Sequence, residues 1–104
     1  MAKTGPVTGG EVLEKPKAHI EPPRLFNVIL YNDDYTTMEF VMHVLEAVFQ
    51  KGPAEAFRIM MDVHRRGRGV CGAYTYEVAE TKVTTVHDMA RKEGFPLRAG
   101  LEEA

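Results

Sequence analysis

From Arg24 onward the apolar positions change period block by block, and each change marks an element. The stretch RLFNVILYN (24–32) is almost continuous in aliphatic, β-branched and aromatic residues and is bounded by turn formers, which predicts a strand. Met38, Val41, Met42, Leu45, Val48 and Phe49 then recur at spacings of three, one, three, three and one, a helical stripe. Thr36 with Glu39 three residues later fits a capping box for that helix, each side chain satisfying a free N–H of the first turn. The helix stops near Gly52, and Pro53 suits the first position of a second one. That second helix is expected to carry Ala56, Phe57, Met60, Met61 and His64 on one face and to end before Gly67. GVCGAYT (69–75) reads as a second strand. Thr75 can cap a third helix, in which Ala79, Val83, Val86 and Ala90 step by four, three and four. Gly94 is its C-cap, and Pro96 prevents continuation. PLRAGLEEA (96–104) is a weak strand at best. The order strand, helix, helix, strand, helix, strand predicts a two-layer α+β domain.

Residues 1–23 follow none of these patterns. They hold Gly5, Gly9, Gly10, Pro6, Pro16, Pro22 and Pro23, no aromatic residue, and apolar residues without a period. Such a segment buries too little surface to offset its ordering entropy, so a flexible arm over 1–23 and one domain over 24–104 are expected.

Composition narrows the class. A chain of 104 residues with 44% hydrophobic and 27% charged residues is one ordinary globular domain. Its net charge of -2 argues against neutralising phosphate as the main task, so no nucleic acid is expected as a partner. The single Cys71 excludes an internal disulfide framework and a multi-thiolate zinc site. No apolar run reaches the length of a membrane span, and the first residues carry no apolar signal region, so the expected location is the cytoplasm.

The chemistry concentrates at the end of the first strand. Asn32, Asp33 and Asp34 are turn formers that bond their own backbone, and a turn is the economical reading. His64 continues an apolar stripe, as a hydrogen-bonded core histidine would. Met38, Met42, Met60 and Met61 suit core packing. His19, His43 and His87 have no spacing that suggests a metal. The arginines of HRRGRG (64–69) complement the negative end of a helix dipole. Cys71 has no neighbouring cation to activate it as a nucleophile. Carboxylates, an amide carbonyl and a neutral imidazole do share one capacity, accepting hydrogen bonds from an ammonium group. Beside apolar, adaptable side chains they would suit a ligand cationic at one end and apolar next to it.

The motifs VILYNDDYTTMEFV, MMDVH, VCG and YEVAETKV, in this order and spacing, resemble the ClpS family of bacterial N-degron adaptors over residues 24–104. The resemblance implies a three-stranded antiparallel sheet with three helices and a non-enzymatic role without cofactor, metal or catalytic residues. It implies capture of proteins that begin with Leu, Phe, Tyr or Trp and delivery to the ClpA unfoldase of the ClpAP protease, the arm being used in delivery. By motif, Asn32, Asp34 and His64 would hold the free α-amine with Asp33 and Thr36 beside them. Met38, Val41, Met60, Val63 and Leu97 would line the side-chain pocket, and Glu77 and Lys82 would touch the unfoldase's N-terminal domain. Two positions depart from the family pattern: Thr37 stands where Pro is common, and Ala99-Gly100 where Cys-Thr is frequent. Gly100 is expected to weaken the last strand. The rival classes are a small acid/base or metal-dependent enzyme and an arginine-mediated nucleic-acid binder.

Overall fold

The computed structural model describes residues 21–104. Most of the expected arm, residues 1–20, and His19 with it, lies outside the described residues. Strand β1 spans Leu25–Tyr31, α1 Met38–Ala47, α2 Pro53–Arg66, β2 Arg68–Thr75, α3 Tyr76–Glu93 and β3 Arg98–Glu103. The sheet has the order β2-β1-β3, and β1 pairs antiparallel with both neighbours. This is the α+β arrangement expected from the alternation of periods.

The central position of β1 explains its nearly continuous apolar run. Val28 and Leu30 join the main core with residues of all three helices, and Ile29, on the other face, is also fully buried. β2 departs from simple alternation. Val28 pairs with Gly72 and Ile29 with Val70, so Cys71 is the extra residue of a β-bulge. The bulge shifts the phase of the strand, so Gly69, Cys71 and then Tyr74 turn inward while Ala73 is exposed.

α2 buries Ala56, Ile59, Met60 and Val63. The expected face was therefore rotated: Ile59 and Val63 point into the core, and Phe57 is 55% exposed. Close approach to β2 sets this orientation. A Cβ at Gly69 would come within 2.8 Å of Val63 Cγ2 and 3.1 Å of the Ile59 carbonyl.

The start of α1 also differs from expectation. Thr37, not Thr36, is the N-cap, and its Oγ1 accepts the Phe40 N–H at 3.1 Å. Thr36 is drawn instead into the preceding loop by Asp33. Thr75 occupies the N-cap position of α3, but its side chain makes no capping hydrogen bond. Gly94 closes α3 at φ 77°, as expected.

Two long-range bonds hold the layers in register. Lys82 of α3 donates to the Val48 carbonyl at 2.7 Å, with its ammonium 5.1 Å from the Tyr74 ring centroid and 5.7 Å from that of Phe49. The Ala99 N–H of β3 donates to His87 Nε2 at 3.0 Å. β3 is a full strand, and Gly100 has a positive role in it. A Cβ there would stand 3.2 Å from the Tyr31 ring, so the glycine makes room for that ring on the sheet's outer face.

Candidate functional site

The loop from β1 to α1 is built around one carboxylate. Asp33 Oδ1 accepts the N–H groups of Tyr35 at 2.8 Å and Thr36 at 2.7 Å, and Oδ2 accepts the Thr36 hydroxyl at 2.7 Å. This is the self-bonded turn that Asx residues favour. Burial pushes the Asp33 carboxyl up, but the bonds from Thr36 and Tyr35 outweigh it and hold the group below its ordinary 3.8. With its oxygens engaged, Asp33 shapes the loop.

A second bond places the loop against α2. The Asn32 N–H donates to the Gly67 carbonyl at 3.0 Å. Gly67 is the left-handed C-cap of α2 at φ 89°, with its own N–H on the Val63 carbonyl. The end of β1 is thus pinned one turn beyond His64. Nothing in the local pattern around Asn32 announced Gly67 as its partner, although a glycine closing α2 was legible.

Between these elements lies a hollow of about 280 Å³ lined by Asn32, Asp33, Asp34, Thr36, Met38, Val41, Met60, Val63 and His64. Its walls divide by chemistry. Met38, Val41, Met60 and Val63 form an apolar side, while Asn32, Asp34 and His64 offer an amide oxygen, a carboxylate and an imidazole. Among the described residues, nothing hydrogen-bonds the side chains of those three. They are exposed acceptors next to an apolar wall.

The other named residues lie elsewhere. Leu97 is not among the lining residues; it is buried in the core at 3% exposure and borders a separate hollow with His87, Phe95 and Arg98. Glu77 and Lys82 line a shallow depression with Val78 and Thr81, which shares no residue with the first hollow. Lys82 is more than a surface charge. The last turn of α1 has no basic residue of its own, and Lys82 supplies that cation from a residue 34 positions away.

A larger hollow of about 470 Å³ lies between α2 and β2, but its charges are largely self-paired: Arg58 bridges Glu55 and Asp62, and Lys51 also approaches Glu55. Among the described residues no group of three or more His, Cys, Asp or Glu side chains could hold a metal ion. Burial pushes the Cys71 thiol up to about 12, well above the range of a reactive thiolate at neutral pH.

The depressed Asp33 carboxyl carries a testable sign. Its contribution to stability is complete above pH 3.8 and is lost as the pH falls through the lower folded value. Asp33→Ala is expected to cost about 0.5–2 kcal/mol at neutral pH, as loss of a helix cap does. In urea titrations from pH 6 to pH 2, part of the wild-type acid loss should be missing from the variant. Parallel pH profiles would remove Asp33 from the account.

The fold and the hollow define a class: a small α+β domain with hydrogen-bond acceptors at one end of an apolar recess. Comparison with known proteins gives its family. Residues 21–100 match the family model described as ATP-dependent Clp protease adaptor protein ClpS. A ClpS adapter protein from Desulfatibacillum aliphaticivorans is 59% identical over 93 residues, covering 89% of each chain. Another from Nitratidesulfovibrio vulgaris is 61% identical over 84 residues, covering 81% of this chain and 84% of that one. Among solved structures, Agrobacterium tumefaciens ClpS2 bound to L-phenylalaninamide aligns with a TM-score of 0.76 at 41% identity, over 80% of this chain and 100% of that one. The chain belongs to the ClpS family of ATP-dependent Clp protease adaptors.

Proposed function

We propose that this protein binds the first residue of N-degron substrates, reading a free α-amine together with a Leu, Phe, Tyr or Trp side chain. It delivers them in the cytoplasm to the ClpA unfoldase for degradation by ClpAP, without catalysing a reaction itself. The observation that carries this reading is the set of acceptors Asn32, Asp34 and His64, unpartnered among the described residues, beside the apolar wall of Met38, Val41, Met60 and Val63. A relative of 41% identity holds L-phenylalaninamide, which combines a primary amine with an aromatic side chain. The hollow of about 280 Å³ suits one residue, falling just below the roughly 300–1,000 Å³ usual for drug-sized ligands.

Both halves of the hollow are needed. Burying a ~150–250 Å² aromatic side chain at ~25 cal/mol per Å² contributes roughly 4–6 kcal/mol before costs. Association itself consumes ~4 kcal/mol or more, so the apolar wall alone binds poorly. Charge-assisted hydrogen bonds of ~1.5–3 kcal/mol each supply the remainder, and an internal Phe lacks the amine to make them. In this scheme Asp33 and Thr36 hold the loop that aims the acceptors, Leu97 supports the apolar wall from the core, and Glu77 and Lys82 face the unfoldase.

The test is a calorimetric titration with short peptides that differ only in the first residue, each with a free or an acetylated amine. Free Phe, Leu, Tyr and Trp peptides should bind, and acetylation should weaken each by at least ten-fold. Equal affinity for free and acetylated Phe peptides would overturn the reading.

Met38 gives a prediction about selectivity. It stands at the rim with 46% of its surface exposed, so truncation opens the mouth without emptying the core. Met38→Ala is expected to admit Ile and Val first residues and to reduce the preference for Phe over Ile by about ten-fold, the usual scale of discrimination by a few methylenes. An unchanged Phe-to-Ile ratio would show that the rim does not select.

A further inference from the structure

Five of the chain's six methionines lie in the described residues, and they differ in their access to solvent. Met60 is buried at 4% exposure, and Met42, Met61 and Met89 are partly buried against the core. Among these five only Met38 is exposed, with 46% of its surface open. Its place in the chain explains why. Met38 is the first residue of α1, and a helical side chain there leans back toward the N-terminus, over the loop that carries Asp34 and Thr36. The exposed thioether is therefore also part of the wall of the hollow. A thioether open to solvent is within reach of peroxides, which convert it to the sulfoxide. The other soft nucleophile does not compete for them. Cys71 is buried, and burial pushes its thiol up to about 12, so it holds almost no thiolate at neutral pH.

Resting on the function proposed above, we infer that Met38 is a redox-sensitive modification site. Hydrogen peroxide converts its thioether to the sulfoxide, and the sulfoxide weakens capture of apolar first residues. The step balances. A sulfur lone pair forms the S–O bond with one peroxide oxygen as the O–O bond breaks. The departing hydroxide takes the proton carried by the transferred oxygen and leaves as water. Sulfur is oxidised by two electrons and the peroxide is reduced by two. The product places a strong hydrogen-bond acceptor where the hollow needs apolar surface. Val41, Met60 and Val63 offer that oxygen no donor, and the Thr36 hydroxyl is spent on Asp33. An apolar side chain seated beside it strips away water without replacing the hydrogen bond, which is unfavourable. Methionine sulfoxide reductase returns the thioether, so the change is reversible and acts as a switch on capture.

The experiment treats the protein with hydrogen peroxide, locates the added oxygen by peptide mass mapping, and titrates L-phenylalaninamide before and after treatment. Met38 should gain oxygen before Met42, Met60, Met61 and Met89. The affinity for the amide should then fall about ten-fold with the melting temperature nearly unchanged, and methionine sulfoxide reductase should restore it. Met38→Leu has a starting affinity of its own, which treatment should change less than two-fold. Met61→Leu, outside the hollow, should respond as wild type does. If untreated wild type does not bind the amide, this inference and the proposed function both fall. If it binds, and mapped oxidation of Met38 leaves the affinity unchanged, the inference falls and the proposed function stands. Oxidation of Met60 ahead of Met38, or an equal loss of affinity in Met38→Leu, would also overturn the inference.

Discussion

Asp34→Ala and His64→Ala are each expected to weaken a peptide beginning with Phe by about ten- to a hundred-fold. Each removes one acceptor of a charge-assisted hydrogen bond worth ~1.5–3 kcal/mol, and ~1.4 kcal/mol corresponds to a factor of ten. Neither side chain has a partner among the described residues, so truncation should cost the free protein little. The loss should therefore appear in binding and not in the melting temperature. Asp34→Asn keeps a carbonyl acceptor but loses the charge, and should fall between wild type and Asp34→Ala. His64→Gln keeps a neutral acceptor and should recover part of the loss. Because Asp34 is exposed, its contribution should shrink as salt rises from 0.05 to 0.5 M, whereas the apolar wall's should not. Calorimetry at two salt concentrations reads both. Wild-type affinity in folded Asp34→Ala would mean that the amine is not read at this end of the hollow.

The second large effect concerns Lys82, where docking and stability meet. Lys82→Glu is expected to lower the melting temperature by about 10 °C or more. It deletes a charged hydrogen bond to the Val48 carbonyl worth ~1.5–3 kcal/mol, and a domain of this size loses ~4–8 °C per kcal/mol. The new carboxylate would also face the negative end of α1, which has no basic residue in its own last turn. Lys82→Met keeps the stem over Phe49 and Tyr74 and should cost less. Glu77 is an exposed residue in the first turn of α3, so Glu77→Lys should shift the melting temperature only slightly. Glu77→Lys is therefore the cleaner probe of unfoldase docking: it should weaken the complex with the unfoldase's N-terminal domain and leave peptide binding intact. A wild-type melt for Lys82→Glu would show that the bond to Val48 carries no stability.

Lys82 also illustrates where legibility ends. Its position in YEVAETKV was visible, and the resemblance attached it to a partner, but its bond to Val48 could not be read from either stretch. The same holds for the site. Asn32, Asp33 and Asp34 were legible as a turn and, through the resemblance, as neighbours of His64. That Asp33 is spent on Thr36 and Tyr35 while Asp34 has no partner among the described residues depends on the course of the loop. Leu97 belonged with the apolar wall by motif, yet it lies in the core beside His87 and Phe95. α2 was recognisable from its periodicity, but its broad apolar face left the inward direction open by one residue, and Phe57 fell on the outside.

The sequence by itself determined the elements and their ends. A strand's continuous apolar run, a helix's three- and four-residue spacing, Pro53 at a first helical position and Gly67 and Gly94 at helix ends all act within a few residues. Their physical causes, steric restriction of the backbone and satisfaction of nearby N–H and C=O groups, are local. The tertiary structure alone decided which faces turn inward, which carboxylate lacks a partner among the described residues, and how two distant stretches, residues 32–41 and 60–64, meet at the hollow. Those outcomes depend on packing between elements: Gly69 lets α2 approach β2, the Gly67 carbonyl receives Asn32, and Lys82 reaches across to α1. The last two join residues 35 and 34 positions apart, and all three depend on burial of one shared core, a condition that no local pattern records.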